Sequence, residues 1–187
     1  MTETKSNRGM VVFGAILIQL ALGNLYAWSV FTSDLVQEGW TKAQTQVVFS
    51  VGVAVFAVVM VIAGRLMPKL GPRKLTILSG IGLGLGYIFA GLFGAENYLT
   101  TLIFVGIVGG AGIGFGYVVP IAVSMRWYPD KKGLITGLAV AGFGFGATLW
   151  MTLAGKLGAL GGAELIKNIG MSNTFIVLGI IFFVIIT

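Results

Sequence analysis

The chain has 187 residues, of which 57% are hydrophobic and 10% charged, and its mean hydropathy is +0.98. A soluble domain carries about a quarter of its residues charged, so this composition needs a bilayer as its solvent. There is no cysteine and no histidine, which excludes disulfides, thiolate metal sites and histidine relays; the net charge of +6 does not indicate nucleic acid, because the cations sit in short loops between apolar runs.

Those runs predict an all-α integral membrane fold. A polar tail, residues 1–9, precedes six transmembrane helices at about 10–32, 44–64, 75–94, 98–125, 134–154 and 172–187. The first run is too long for a signal-peptide core. A helix needs about 20 apolar residues to cross the hydrocarbon, and the first five runs meet that length. The strongly apolar part of the sixth, 174–186, covers only about 20 Å at about 1.5 Å per residue. The last helix therefore reads as truncated, and the chain as the front part of something longer. Alternate loops sort the cations. Lys5, Arg8, Arg65, Lys69, Arg73, Lys74, Arg126, Lys131 and Lys132 fall on one side, and Lys42, Lys156 and Lys167 on the other. That bias predicts a cytoplasmic N-terminus in a multi-pass protein of the plasma (cell inner) membrane.

In the first span, Gln19, Gly23, Tyr26 and Val30 share a face at helical spacing. Gln19 reads equally as a hydrogen bond to a neighbouring helix or as a site group. Tyr26 and Trp28 read as interfacial aromatics or as residues lining a cavity. At the start of the second span Gln46 reads first as a solvated cap, and otherwise as a group reaching into an outward vestibule. That span ends in AGRLMPKLGPRK, where Pro68, Gly71 and Pro72 predict a helix break and a tight basic turn. Its cations suit anionic lipid headgroups or helix-end carbonyls. Spans three to five hold glycines four apart: Gly82/Gly86, Gly110/Gly114, Gly112/Gly116 and Gly142/Gly146. That spacing lets helices approach closely in lipid, and no phosphate-cradling G-x-G-x-x-G or P-loop lysine accompanies it. The fourth span adds Tyr117 and Pro120, and Pro120 predicts a kink. The elbow RWYPDKKG, residues 126–133, comes next. No Asp, Glu, Lys or Arg lies within any span, so the chain offers neither a proton relay nor an intramembrane cation for an anion. No metal cluster, cofactor motif or nucleophile–base pair points to an enzyme.

The turn 64–74, GRLMPKLGPRK, resembles the G-x-x-x-D-R-x-G-R-R loop of the major facilitator superfamily. Gly64, Lys69, Gly71 and Arg73 match in position or kind. Pro68 replaces the acid, which implies weaker latching of the cytoplasmic side or the use of other groups. The GPR triplet, the elbow (Arg126, Asp130, Lys131 and Gly133 among its residues) and NLYAWSVF together resemble the oxalate:formate antiporter family. The likeness covers essentially the whole chain, as the first half of a twelve-helix protein. It implies two inverted three-helix repeats and alternating-access transport of a small carboxylate such as lactate, formate or oxalate. It implies substrate-pathway residues Tyr26, Trp28, Gln46 and Tyr117, with Tyr26 and Tyr117 donating hydroxyl hydrogen bonds. Phe143 and Leu25 stand where an oxalate carrier of the family has tyrosine and glutamine, which favours a monocarboxylate. It also implies a C-terminal six-helix half that supplies the cations. Two other readings stay open: a superfamily carrier of another small solute, and a non-transporting remnant or partner subunit of a split transporter.

Overall fold

A computed structural model describes residues 8–154 and 165–187. Six helices in it are long and apolar enough to cross a membrane: α1 (Arg8–Gln37), α2 (Lys42–Leu70), α3 (Pro72–Leu92), α4 (Tyr98–Trp127), α5 (Pro129–Ala154) and α6 (Leu165–Ile186). The described residues contain no strand. Helix is what the bilayer demands, since hydrocarbon offers backbone N–H and C=O groups no other partner. Arg8 is already helical; the rest of the expected tail, residues 1–7, lies outside the described residues, as does Lys156.

The ends are set by local chemistry. Thr41 caps α2 in a reciprocal box, in which Gln44 N donates to Thr41 Oγ1 at 3.2 Å and Thr41 N to Gln44 Oε1 at 2.8 Å. The glutamine that takes part in the cap is thus Gln44, and Gln46 is exposed in the second turn. Asn97 caps α4 through Oδ1, which accepts from Leu99 N and Thr100 N. The break expected from Pro68, Gly71 and Pro72 falls at Gly71 and not at Pro68. α2 runs through it to Leu70, Gly71 turns the chain at φ +78°, and Pro72 is the first residue of α3. Proline in a last turn removes one hydrogen bond, and the carbonyl it frees belongs to Gly64, which is exposed and accessible to water. Gly71 alone makes the turn because its φ strains any residue with a Cβ.

Three helices depart from α geometry in their interiors, and α5 opens on a 3₁₀ turn at Pro129–Lys131. α1 tightens to a 3₁₀ turn over Gly23–Ala27. α4 widens to a π-helix over Leu102–Gly109. α6 breaks at Gly170, φ 79°. The 3₁₀ turn advances about 120° per residue instead of about 100°. Five such residues rotate the remainder of α1 by about a quarter turn. Along the face expected to join Gln19, Gly23, Tyr26 and Val30, Gln19, Gly23 and Val30 are buried and Tyr26 is exposed; residues three apart eclipse in a 3₁₀ turn, so Tyr26 stays over Gly23.

The first three helices pack mainly against the last three. α1 lies against α5 as α4 lies against α2, and α3 lies along α6. Glycines stand at each crossing. A Cβ on Gly146 would fall 2.9 Å from Gly23 Cα, and one on Gly110 would fall 2.7 Å from Gly52 O. A Cβ on Gly82 would fall 2.9 Å from Gly112 Cα, and one on Gly179 would fall 2.6 Å from Gly84 O. All four glycine pairs read from the sequence face another helix: Gly82/Gly86 face α4, Gly110/Gly114 face α2, Gly112/Gly116 face α3 and Gly142/Gly146 face α1. The close approach raises dispersion contact where lipid supplies little drive for association.

Side chains tie α1 to its neighbours. Gln19 Nε2 donates to Tyr117 O at 3.2 Å, Trp28 Nε1 to Thr45 O at 2.9 Å, and Trp150 Nε1 to Leu20 O at 2.7 Å. Asn24 Nδ2 donates to Tyr87 Oη at 2.6 Å, and both residues are buried.

Gly146→Val is expected to lower stability by about 3 kcal/mol, at the top of the overpacking range. Gly144→Val, whose Cβ meets nothing within 4 Å, is expected to change it by about 0.5 kcal/mol at most. Circular dichroism of the purified protein titrated from mild detergent into sodium dodecyl sulfate measures both. The same titration tests the polar pair. Tyr87→Phe strips the buried Asn24 amide of its partner and should cost about 1 kcal/mol, which Asn24→Leu in the same chain should largely restore.

Candidate functional site

Four aromatic rings from four helices meet between the two groups of three. Phe143 of α5 is buried at the centre. Its ring centroid lies 5.0 Å from Tyr117 of α4, 5.5 Å from Tyr26 of α1 and 6.3 Å from Phe56 of α2. Phe56 and Tyr117 close the cluster at 5.3 Å. Tyr26 is 49% exposed and so forms the open side, while Tyr117 and Phe56 are half-buried.

The glycine crossings build this cluster. Each ring stands one helical turn from a glycine at which its own helix crosses another. Tyr26 follows Gly23 by three, Phe56 follows Gly52 by four, Tyr117 follows Gly114 by three, and Phe143 precedes Gly146 by three. Residues three or four apart share a helix face. Backbones pressed together at the glycines therefore turn the aromatic residues into the same space.

Sequence reasoning named three of the four, and the structure brings Tyr26, Tyr117 and Phe143 together. It does not bring the other two site candidates to them. Trp28 is buried two residues beyond Tyr26, with its indole N–H committed to the Thr45 carbonyl. It does not border the cluster. Gln46 is exposed near the start of α2, ten residues before Phe56 and so about 15 Å along the helix from it. Leu25, half-buried, lines a small interior cavity with Trp28 and Tyr87 and does not join the rings. Phe56 was missed, although the Gly52-x-x-x-Phe56 spacing carries its signal.

The cluster is an apolar wall with two hydroxyls. Aromatic ring edges carry partial positive charge, and Tyr26 and Tyr117 each supply one O–H donor. No ionisable group other than these phenols belongs to it. Gln19 sits one turn from Gly23 and holds α1 to α4 at the Tyr117 backbone, just before Pro120. Its Oε1 is buried and has no partner. No metal-binding group of His, Cys, Asp or Glu occurs among the described residues.

The loop-motif residues collect at one end of the bundle, away from the rings. Gly64, Lys69 and Arg73 are exposed around the Gly71 turn. Arg126, Asp130, Lys131 and Gly133 are exposed around a 3₁₀ turn at Pro129–Lys131.

Comparison with known proteins places this arrangement. Residues 11–187 match the Major Facilitator Superfamily. The chain is 29% identical over 176 residues to the uncharacterized MFS-type transporter YhjX of Escherichia coli (strain K12), covering 93% of this chain and 41% of that protein. It is 25% identical over 172 residues to the oxalate:formate antiporter of Oxalobacter formigenes, covering 91% and 38%. It is 32% identical over 94 residues to apicoplast pyruvate carrier 1 of Toxoplasma gondii, covering 50% and 17%. The chain thus spans about two fifths of the length of the first two relatives. Six helices long and apolar enough to cross a membrane, with a family match over residues 11–187, make this chain a member of the major facilitator superfamily.

Proposed function

We propose that this chain forms the N-terminal six-helix half of an alternating-access carrier for small carboxylates, with monocarboxylates preferred. The observation that carries the reading is the ring cluster. It presents two hydroxyl donors in a wall that is otherwise phenyl edge and face. Hydroxyls and ring edges suit carboxylate oxygens, and Phe56 and Phe143 suit a short aliphatic or hydrogen end. The names of two relatives, an oxalate:formate antiporter and a pyruvate carrier, support the substrate class. An interior without Asp or Glu in any predicted span speaks against a cationic solute, which would need a counter-charge there.

A carboxylate taken from water into this wall meets a large desolvation cost without a cation. In this reading the cation comes from a second six-helix half, and the substrate sits between the halves near midplane. The smooth glycine crossings let one half rock against the other. Nine cations on one set of loops against three on the other support an N-terminus in the cytoplasm and residence in the cytoplasmic membrane.

Uptake of labelled lactate, pyruvate, formate and oxalate into proteoliposomes holding the intact gene product tests this. Saturable uptake of at least one is expected, and no uptake of any would overturn the carrier reading. Tyr117→Phe and Tyr26→Phe should each raise KM about five- to tenfold, the effect of one hydrogen bond of about 1 kcal/mol or slightly more to a charged group. Phe143→Tyr should shift preference toward oxalate by adding a third hydroxyl. Unchanged KM in both tyrosine variants would remove the hydroxyls from the substrate site.

A further inference from the structure

The turn between α2 and α3 carries a cluster of cations that the ring cluster does not use. Residues 64–74 hold Arg65, Lys69, Arg73 and Lys74 and no acid. All four cations are exposed, and none forms an ion pair among the described residues. Beside them, on the outer surface of the bundle, lies a groove of about 280 Å³ lined by Leu70, Lys74, Ile77 and Leu78. Lys74 is the only charged residue in it. Ile77 and Leu78 follow Lys74 by one helical turn, so the apolar wall begins about 5 Å deeper along α3 than the ammonium's own residue. Leu70, Ile77 and Leu78 are each exposed for about a third of their surface or more.

Charge at the membrane surface with an apolar channel running inward is the outline of a phospholipid. A free phosphate would use the cation and leave three apolar side chains facing water. A zwitterionic headgroup would bring an ammonium into a cluster with no acid to receive it. We propose that this groove is a binding site for one anionic phospholipid, such as phosphatidylglycerol. Its phosphate pairs with Lys74, with Arg65, Lys69 and Arg73 adding to the local field, and its acyl chain lies along Leu70, Ile77 and Leu78. The first turn of α3 has no side-chain cap, so its backbone N–H groups add to the attraction for the phosphate. The site depends only on the loop lying at a membrane surface and is independent of what the protein carries.

Native mass spectrometry of the purified protein in detergent, with equal phosphatidylglycerol and phosphatidylcholine of matched chains, tests the site. Wild type is expected to retain phosphatidylglycerol preferentially. Lys74→Gln should lower that preference about fivefold, the effect of one cation at a membrane surface, and Lys74→Arg should keep it. Lys131→Gln, which removes the same charge at the elbow, should leave it unchanged. Leu78→Asn should weaken retention of the lipid. Equal retention of the two lipids by wild type would overturn the proposal. An equal loss in Lys74→Gln and Lys131→Gln would overturn it too, by reducing the effect to general surface charge. Displacement of the lipid by glycerol 3-phosphate at equal concentration would show that the groove takes no acyl chain and would likewise overturn it. Circular dichroism confirming helical content in each variant separates loss of binding from loss of fold.

Discussion

Helices in lipid gain little from hiding apolar side chains, because the solvent is as apolar as they are. They associate where their backbones come close, and here they come close at glycines. Gly23 on Gly146, Gly52 on Gly110, Gly82 on Gly112 and Gly84 on Gly179 are the crossings that hold the bundle. The first two are related by the exchange of one helix group for the other: α1 on α5, and α2 on α4. The third and fourth dock α3 against α4 and α6. Polar bonds from Gln19, Trp28 and Trp150 then fix α1 along its length. Each ends on a backbone carbonyl, so none leaves a charge in the membrane.

The same crossings place the aromatic cluster. Each ring lies one turn from a crossing glycine, so the distances that set helix packing also set the ring spacing of 5.0 to 6.3 Å. Packing and site therefore share one cause. A side chain added at Gly23 or Gly146 would disturb both, whereas Gly144, one residue past Phe143, faces open space and takes part in neither. Charge is kept apart from this region. The cations sit at the loop ends, where the Gly71 turn and the elbow at Pro129–Lys131 expose them.

The amino-acid sequence by itself determined the first five membrane helices, because about 20 uncharged residues in a row have no other stable place; the sixth, expected to be cut short, is a 22-residue helix long and apolar enough to cross. It also determined which glycines face other helices, since a four-residue spacing puts both on one side of any helix. It supplied three of the four aromatic residues of the cluster. Tertiary structure decided the rest. Periodicity assigns a residue to a face but not to a partner, so Phe56 emerged only when Gly52 met Gly110. The 3₁₀ turn at Gly23–Ala27 keeps Tyr26 over Gly23 on the open side of the bundle, while Trp28 is buried against Thr45, a difference that spacing alone does not show. Pro68 stayed helical because the carbonyl it frees is exposed to water. Gln46 yielded the cap to Gln44 because a reciprocal cap requires a side chain three residues after Thr41. The Thr41–Gln44 box is written in the sequence as T-x-x-Q; for Phe56 and Trp28 the deciding fact was a neighbour distant in sequence, which the order of residues along one helix does not record.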